Sequence, residues 1–222
     1  MSRQNSSPRF TWTPLWGALA GALYFLFVRP QLLKWGTRLG ESQRRLPGDE
    51  LIPAPNMQWT RAIDIDAPPE AVWPWLAQMG RERTGWYRLD VLDNGGIPSA
   101  TYIRQDLPPP QVGMALDGGW QVLGVEPGHM LLIGSYDRPN LLGTSTDMVM
   151  AYRLERKSDG STRLLVRLRA FSYGIAGVLY NLLFEPLDFV ASRQQLQGIK
   201  ARAETMAHLK LGVPRQHEIS LN

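Results

Sequence analysis

Two carboxylates and a phenol stand close together at residues 85–94, GWYRLDVLDN. Tyr87 and Asp90 are three apart, so on a helix they would share a face. In an apolar pocket, burial would raise a carboxyl pKa towards the range where it can donate or accept a proton. Tyr152 could serve the same chemistry. Asp93 reads as a solvated residue and Asn94 as a helix cap. Arg61 has the strand parity of Ile63 and Ile65. It either points inward, where it could hold an acidic head group, or reaches water at a strand end. His129, His208 and His217 are scattered, and no H-E-x-x-H, Gly-rich phosphate loop or G-x-S-x-G occurs. No catalytic set is assigned on this pattern, and no metal or cofactor is expected. The absence of Cys excludes disulfides, thiolate zinc sites and a Cys nucleophile.

Large rings and methionines are the more plentiful resource. Eight Trp among 222 residues suit cavity walls and membrane interfaces alike. The apolar fraction of 44% is ordinary for a folded domain. A net charge of only +4, with no run of five basic residues, argues against a nucleic-acid partner.

The elements that position these residues follow from periodicity. Ile63 and Ile65 alternate with Asp64 and Asp66, as in a half-buried strand. Pro68 and Pro69 then suit the first turn of a helix, whose N–H groups have no intrahelical partner. Glu70 favours that end through the helix dipole. Val72, Trp75, Leu76 and Met79 recur at helical spacing, with Pro74 expected to kink the helix. Trp86, Leu89 and Leu92 suggest a second short helix, ending at Asn94-Gly95-Gly96. Residues 103–119 read as loop. Strands are expected near 120–126, 130–136, 147–156 and 163–171, with turns at Pro127-Gly128 and 158–160. Met148, Met150, Tyr152 and Leu154 share one face, as do Leu164, Val166, Leu168 and Ala170. Arg163, Arg167 and Arg169 would then point to water from an antiparallel sheet with one solvated face. Phe189, Leu196, Ile199, Ala203 and Met206 form the apolar stripe of a long C-terminal helix. Gly198 interrupts that helix at about 1 kcal/mol relative to Ala. The uncharged stretch 170–184 reads either as a partly exposed gate or as the buried start of that helix.

The front of the chain is different. Residues 10–28, FTWTPLWGALAGALYFLFV, carry no charge, close to the ~20 residues that cross a bilayer core. Trp12 and Trp16 at one end and Arg29, Lys34 and Trp35 at the other are interfacial flanks. A membrane anchor is the reading taken, against a buried or surface-lying helix or a cleaved signal. The basic excess after the segment places the large domain in the cytoplasm. The expected organisation is therefore an N-terminal segment 1–35, a linker 36–57, a ligand-binding domain 58–210 and a flexible tail 211–222.

The pieces GDELIP, RAIDIDAPPEAVWPWLAQMG, GWYRLDVLDN and EPLDFVASRQQLQGIKARAE, in that order, resemble the START/polyketide-cyclase superfamily (SRPBCC). The resemblance spans roughly residues 48–207. It implies an α+β helix-grip fold, in which a curved antiparallel sheet wraps around a long C-terminal helix over an apolar cavity. Here an N-terminal apolar helix is added. Carried onto this chain, the resemblance implies a cavity wall including Trp86, Tyr87, Asp90, Trp120, Met148, Met150, Tyr152, Leu196 and Ile199. The expected function is a membrane-anchored binder of a lipid-like or polycyclic apolar molecule. The alternatives are a cyclase- or hydratase-type enzyme acting on an apolar substrate, or an interaction module whose interior is filled by its own side chains.

Overall fold

The alternation read at residues 61–66 belongs to a longer strand, β1 (Met57–Ile65), in a computed structural model that describes residues 13–117 and 119–211. The other strands are β2 (Ala115–Asp117), β3 (Trp120–Glu126), β4 (Met130–Pro139), β5 (Ser145–Arg156) and β6 (Thr162–Ser172). They form one six-stranded antiparallel sheet in the order β1-β6-β5-β4-β3-β2. The return of β6 to pair with β1 brings the two ends of the sequence motif set together. Register then builds rows of side chains across one face. Ala170 lies between Met57 and Met148, and Leu168 lies opposite Met150. The short β2 falls in the stretch expected to be loop, paired with β3 through Ala115 and Gln121.

Helix α5 (Gly174–Leu211) lies against this sheet. Its stripe residues Leu196, Ile199 and Ala203 are buried with Trp59, Ile65, Trp75 and Leu164 in the main core. Phe189 and Met206 are only partly buried. The chain thus has the α+β helix-grip architecture. Helix α5 is about 57 Å long at 1.5 Å per residue, longer than the sheet needs, and Pro186 stands inside it. Strand β6 continues to Ser172 and α5 starts at Gly174, so the uncharged stretch 170–184 is a strand end followed by helix. Its Ile175 and Leu179 are exposed and Leu182 is half-buried.

Helices α1 (Thr13–Leu23) and α2 (Arg29–Leu33) precede β1, and helix α3 (Pro69–Ala77) after it starts at a proline as expected. It runs past Pro74 to Ala77 and buries Val72, Trp75 and Leu76. Only Asp90–Asp93 form helix α4; Trp86 and Tyr87 precede it in irregular backbone.

The sheet's other face is not solvated. The stretch 36–57, expected to be a linker, lies across it as far as the start of β1 at Met57 and buries Leu46 and Ile52. The three arginines expected in water hold that cover down. Arg163 grips the Glu41 carboxylate through Nε at 2.9 Å and Nη2 at 2.6 Å. Arg167 donates to Asp49 Oδ2 at 2.6 Å, to the carbonyls of Arg44 and Ser42, and to Thr60 Oγ1. Arg169 donates to the carbonyls of Ile52 and Pro53. A buried guanidinium is tolerated because its donors are met by fixed acceptors. Alternation of Arg with apolar residues therefore marks two covered faces here.

Helix α1 passes through a π-helical turn, Tyr24–Val28, into α2. No residue from Trp16 to Leu33 is buried, and Trp16, Leu26 and Phe27 are among the most exposed side chains of this segment. Its far end is tied to the domain. Arg29 pairs with Glu185 at 2.9 Å, and the Trp35 ring meets Phe189 edge-on at 6.4 Å. Arg3, Arg9, residues 10–12, His217 and residues 212–222 of the expected tail lie outside the described residues.

Candidate functional site

The paired rows of Met57, Ala170 and Met148, and of Leu168 and Met150, floor a cavity of about 380 Å³ under the first half of α5. Its walls are aromatic. The Trp86 and Trp120 rings stand 6.5 Å apart on one side. Tyr180 and Phe184 from α5, stacked at 4.3 Å, stand on the other. Leu187 and Ala191 continue the α5 wall. Polar groups join them: Arg81 from the turn after α3, Arg88 and Asp93 at α4, Arg138 at the end of β4, Asn140 in the β4–β5 turn and Asp188 on α5.

Four of the residues singled out from sequence come together here: Trp86, Trp120, Met148 and Met150. Five do not line the cavity. Tyr152 lies behind its wall, fully enclosed, where its hydroxyl donates to Gln195 Oε1 at 2.9 Å. Burial pushes that phenol well above its ordinary range. Gln195 Nε2 in turn donates to the Trp86 carbonyl at 3.1 Å, so Tyr152 is linked to a wall residue through Gln195. Leu196 and Ile199, in the middle of the stripe, belong to the main core.

Tyr87 and Asp90 fail to form the expected pair because the backbone between them is not helical. Tyr87 adopts φ +58°, a left-handed conformation uncommon for a non-glycine residue. Its N–H donates to Ser99 Oγ at 3.0 Å, and its hydroxyl meets Gln78 Nε2 at 3.0 Å and Thr84 Oγ1 at 2.9 Å. Burial raises this phenol too, against the opposing effect of those hydrogen bonds. Asp90 accepts from the backbone N–H of Ser99 at 2.9 Å and from its hydroxyl. It therefore closes a loop and is not at the cavity mouth. Asp93, expected to be merely solvated, lines the cavity and pairs with Arg88 at 2.7 Å.

Gly198 is explained by the same loop. A Cβ there would lie 2.5 Å from the Tyr87 carbonyl oxygen, which belongs to rigid backbone. Gly198→Ala should therefore lower stability by about 1–3 kcal/mol, as overpacking does, although Ala is the better helix former. Chemical denaturation of the variant measures the sign directly.

Sequence reasoning missed Asp188, which lines the cavity. Its carboxylate accepts from Arg61 Nη1 at 2.9 Å. Arg61 does point inward, and the protein itself occupies it. Nε donates to the Leu32 carbonyl at 3.0 Å, and Nη1 also donates to Ser192 Oγ. Desolvation lowers its pKa, with the Asp188 and Glu185 charges opposing. Tyr180, Phe184 and Leu187 were also missed as cavity residues. Their spacing of four and three was a readable signal, obscured because apolar helix starts are usually core.

No family model and no curated protein matches the chain. Among solved structures it is similar to protein MLL2253 from Mesorhizobium loti, at 15% identity and a TM-score of 0.42, covering 67% of this chain and 98% of that one. It is also similar to CalU16 from Micromonospora echinospora (20%, TM-score 0.35, 68% of this chain and 87% of that one). A third is Ara h 8.0201 (14%, TM-score 0.39, 67% and 98%). At such identities the likeness is one of fold alone.

Proposed function

We propose that this protein is a membrane-anchored binding protein for a lipid-like or polycyclic apolar molecule, held between the sheet and α5. The observation that carries this reading is the cavity itself. At about 380 Å³ it falls within the roughly 300–1,000 Å³ of small-molecule sites. Its floor of two Met rows can adapt to irregular ligand shapes, and its aromatic walls offer flat apolar area. An interaction module filled by its own side chains would have no such space. A cyclase or hydratase would need two titratable groups converging on a substrate. Asp93 and Asp188 do line the cavity, but each carboxylate is engaged by an arginine, which favours holding a ligand over moving its protons.

The uncharged helix leading into Arg29 supports the anchor. It is apolar on every side and makes no core with the domain. The basic residues after it favour a cytoplasmic domain under the positive-inside rule. Native mass spectrometry of the full protein, extracted in mild detergent, tests the binding reading. An apolar molecule of defined mass should co-purify and be displaced by an apolar fluorescent probe. Protein that is empty and takes up no probe would reject it.

A further inference from the structure

Three elements contribute to the cavity's edge: α4, the β4–β5 turn and the first half of α5. These same elements carry several of the domain's most exposed large apolar side chains. Val91 on α4 is 80% exposed, Leu141 in the turn 80%, and Ile175 and Leu183 on α5 83% and 71%. Leu92 and Leu187 are both exposed and part of the cavity lining, so the apolar surface continues from outside into the cavity.

The turn and α5 are joined through polar contacts. Asn140, itself a cavity residue, donates to Thr144 Oγ1 at 2.7 Å and is 3.5 Å from Thr146 Oγ1. The Thr146 and Ser172 hydroxyls are 2.8 Å apart, and Ser172 Oγ donates to Asn181 Oδ1 of α5 at 3.0 Å. Soluble surfaces rarely place so many large apolar groups around one opening unless something covers it.

Two observations point to a bilayer as the cover. The uncharged N-terminal helix is pinned to this half of α5 by the Arg29–Glu185 pair. Wherever that helix enters lipid, the apolar side of α5 is held nearby. The cavity edge also carries Arg138, a cation suited to anionic head groups. We propose that the cavity mouth is a second membrane-contact surface. In it α4, the β4–β5 turn and the first half of α5 seat on the bilayer, and an apolar ligand passes between lipid and cavity without crossing water. The transfer step rests on the binding reading above; the docking does not.

The chain has no Cys, so single reporters are straightforward. The full-length protein is reconstituted into phosphatidylcholine–phosphatidylglycerol vesicles with an environment-sensitive fluorophore on Leu141→Cys, Leu183→Cys, Leu19→Cys or Asp159→Cys. Asp159 lies in the β5–β6 turn, at the opposite end of the strands. Labels at 141 and 183 should shift to the blue and lose emission to lipids carrying a shallow quencher, while the label at 159 stays unchanged. Absence of lipid quenching at 141 and 183 overturns the docking, whatever the label at 19 shows. A blue shift there without lipid quenching means that a second copy covers the face, and also overturns it. Quenching at 141 and 183 without quenching at 19 upholds the docking while removing the anchor. Probe uptake in detergent, measured on the same variants, reports the binding reading separately.

Discussion

Arg61→Ala should lower the stability of the domain by about 3–5 kcal/mol, the loss expected when one partner of a buried ion pair is removed. Arg61 is 0% exposed and joins three elements. From β1 it reaches the carbonyl of Leu32 at the end of α2, and Asp188 and Ser192 on α5. Its guanidinium carbon also lies 4.0 Å from the Trp59 ring centre, close enough for cation–π attraction. Truncation would leave Asp188 without its cation beside an apolar cavity. A double variant, Arg61→Met with Asp188→Leu, removes both charges and should recover much of the loss, because an apolar pair of similar size avoids desolvation. Urea titration of the wild type, both single variants and the double variant completes the cycle. If the loss from Arg61→Ala were below 1 kcal/mol, or if the double variant were no better than the single, the arginine would not be the joint described here.

How much of this was legible in the sequence depended on whether the information was local. The strands were readable because Met148, Met150 and Tyr152, or Leu164, Val166 and Leu168, alternate at the period of the pleat. The Met rows that floor the cavity follow directly from that alternation once the strands pair. The outer face was misread for a reason that composition hides. Arg163, Arg167 and Arg169 have the spacing of a solvated face, but their hydrogen-bond acceptors lie in residues 36–60, more than a hundred positions away. Likewise nothing near Asp188 points to Arg61, which is 127 residues distant. The GWYRLDVLDN run failed differently. Its helical spacing was real, but Ser99 captures both the Tyr87 N–H and the Asp90 carboxylate. That pins a left-handed residue where the helix would have started.

These long-range ties also connect the parts that matter for function. Arg61 links the root of the N-terminal helix to Asp188 on the cavity wall, and Arg29 links that helix to Glu185 one turn earlier on α5. The uncharged N-terminal helix and the cavity are thus held by neighbouring turns of one helix. Under the proposed function, a ligand leaving a bilayer beside that helix would meet the cavity within a short distance.

Filling the cavity should separate ligand binding from folding more sharply than any charge substitution. Ala170 is buried at the centre of the Met57–Ala170–Met148 row and is part of the cavity floor. Met148 beside it is only half-buried. Ala170→Phe combined with Met148→Trp places two rings where a ligand would lie. The affinity for an apolar probe should fall by about a hundredfold or more, equivalent to about 2.7 kcal/mol. Stability should be unchanged or slightly higher, because new apolar surface is buried in existing space and little strain is introduced. Met150→Arg, by contrast, would lose binding and stability together, since Met150 is buried and its cationic replacement would need desolvation. Probe titration and urea denaturation of the two variants give the comparison. Undiminished probe binding in the filled variant would place the binding site elsewhere. Loss of binding together with collapse of stability would mean that the space is ordinary core, with no room for a guest.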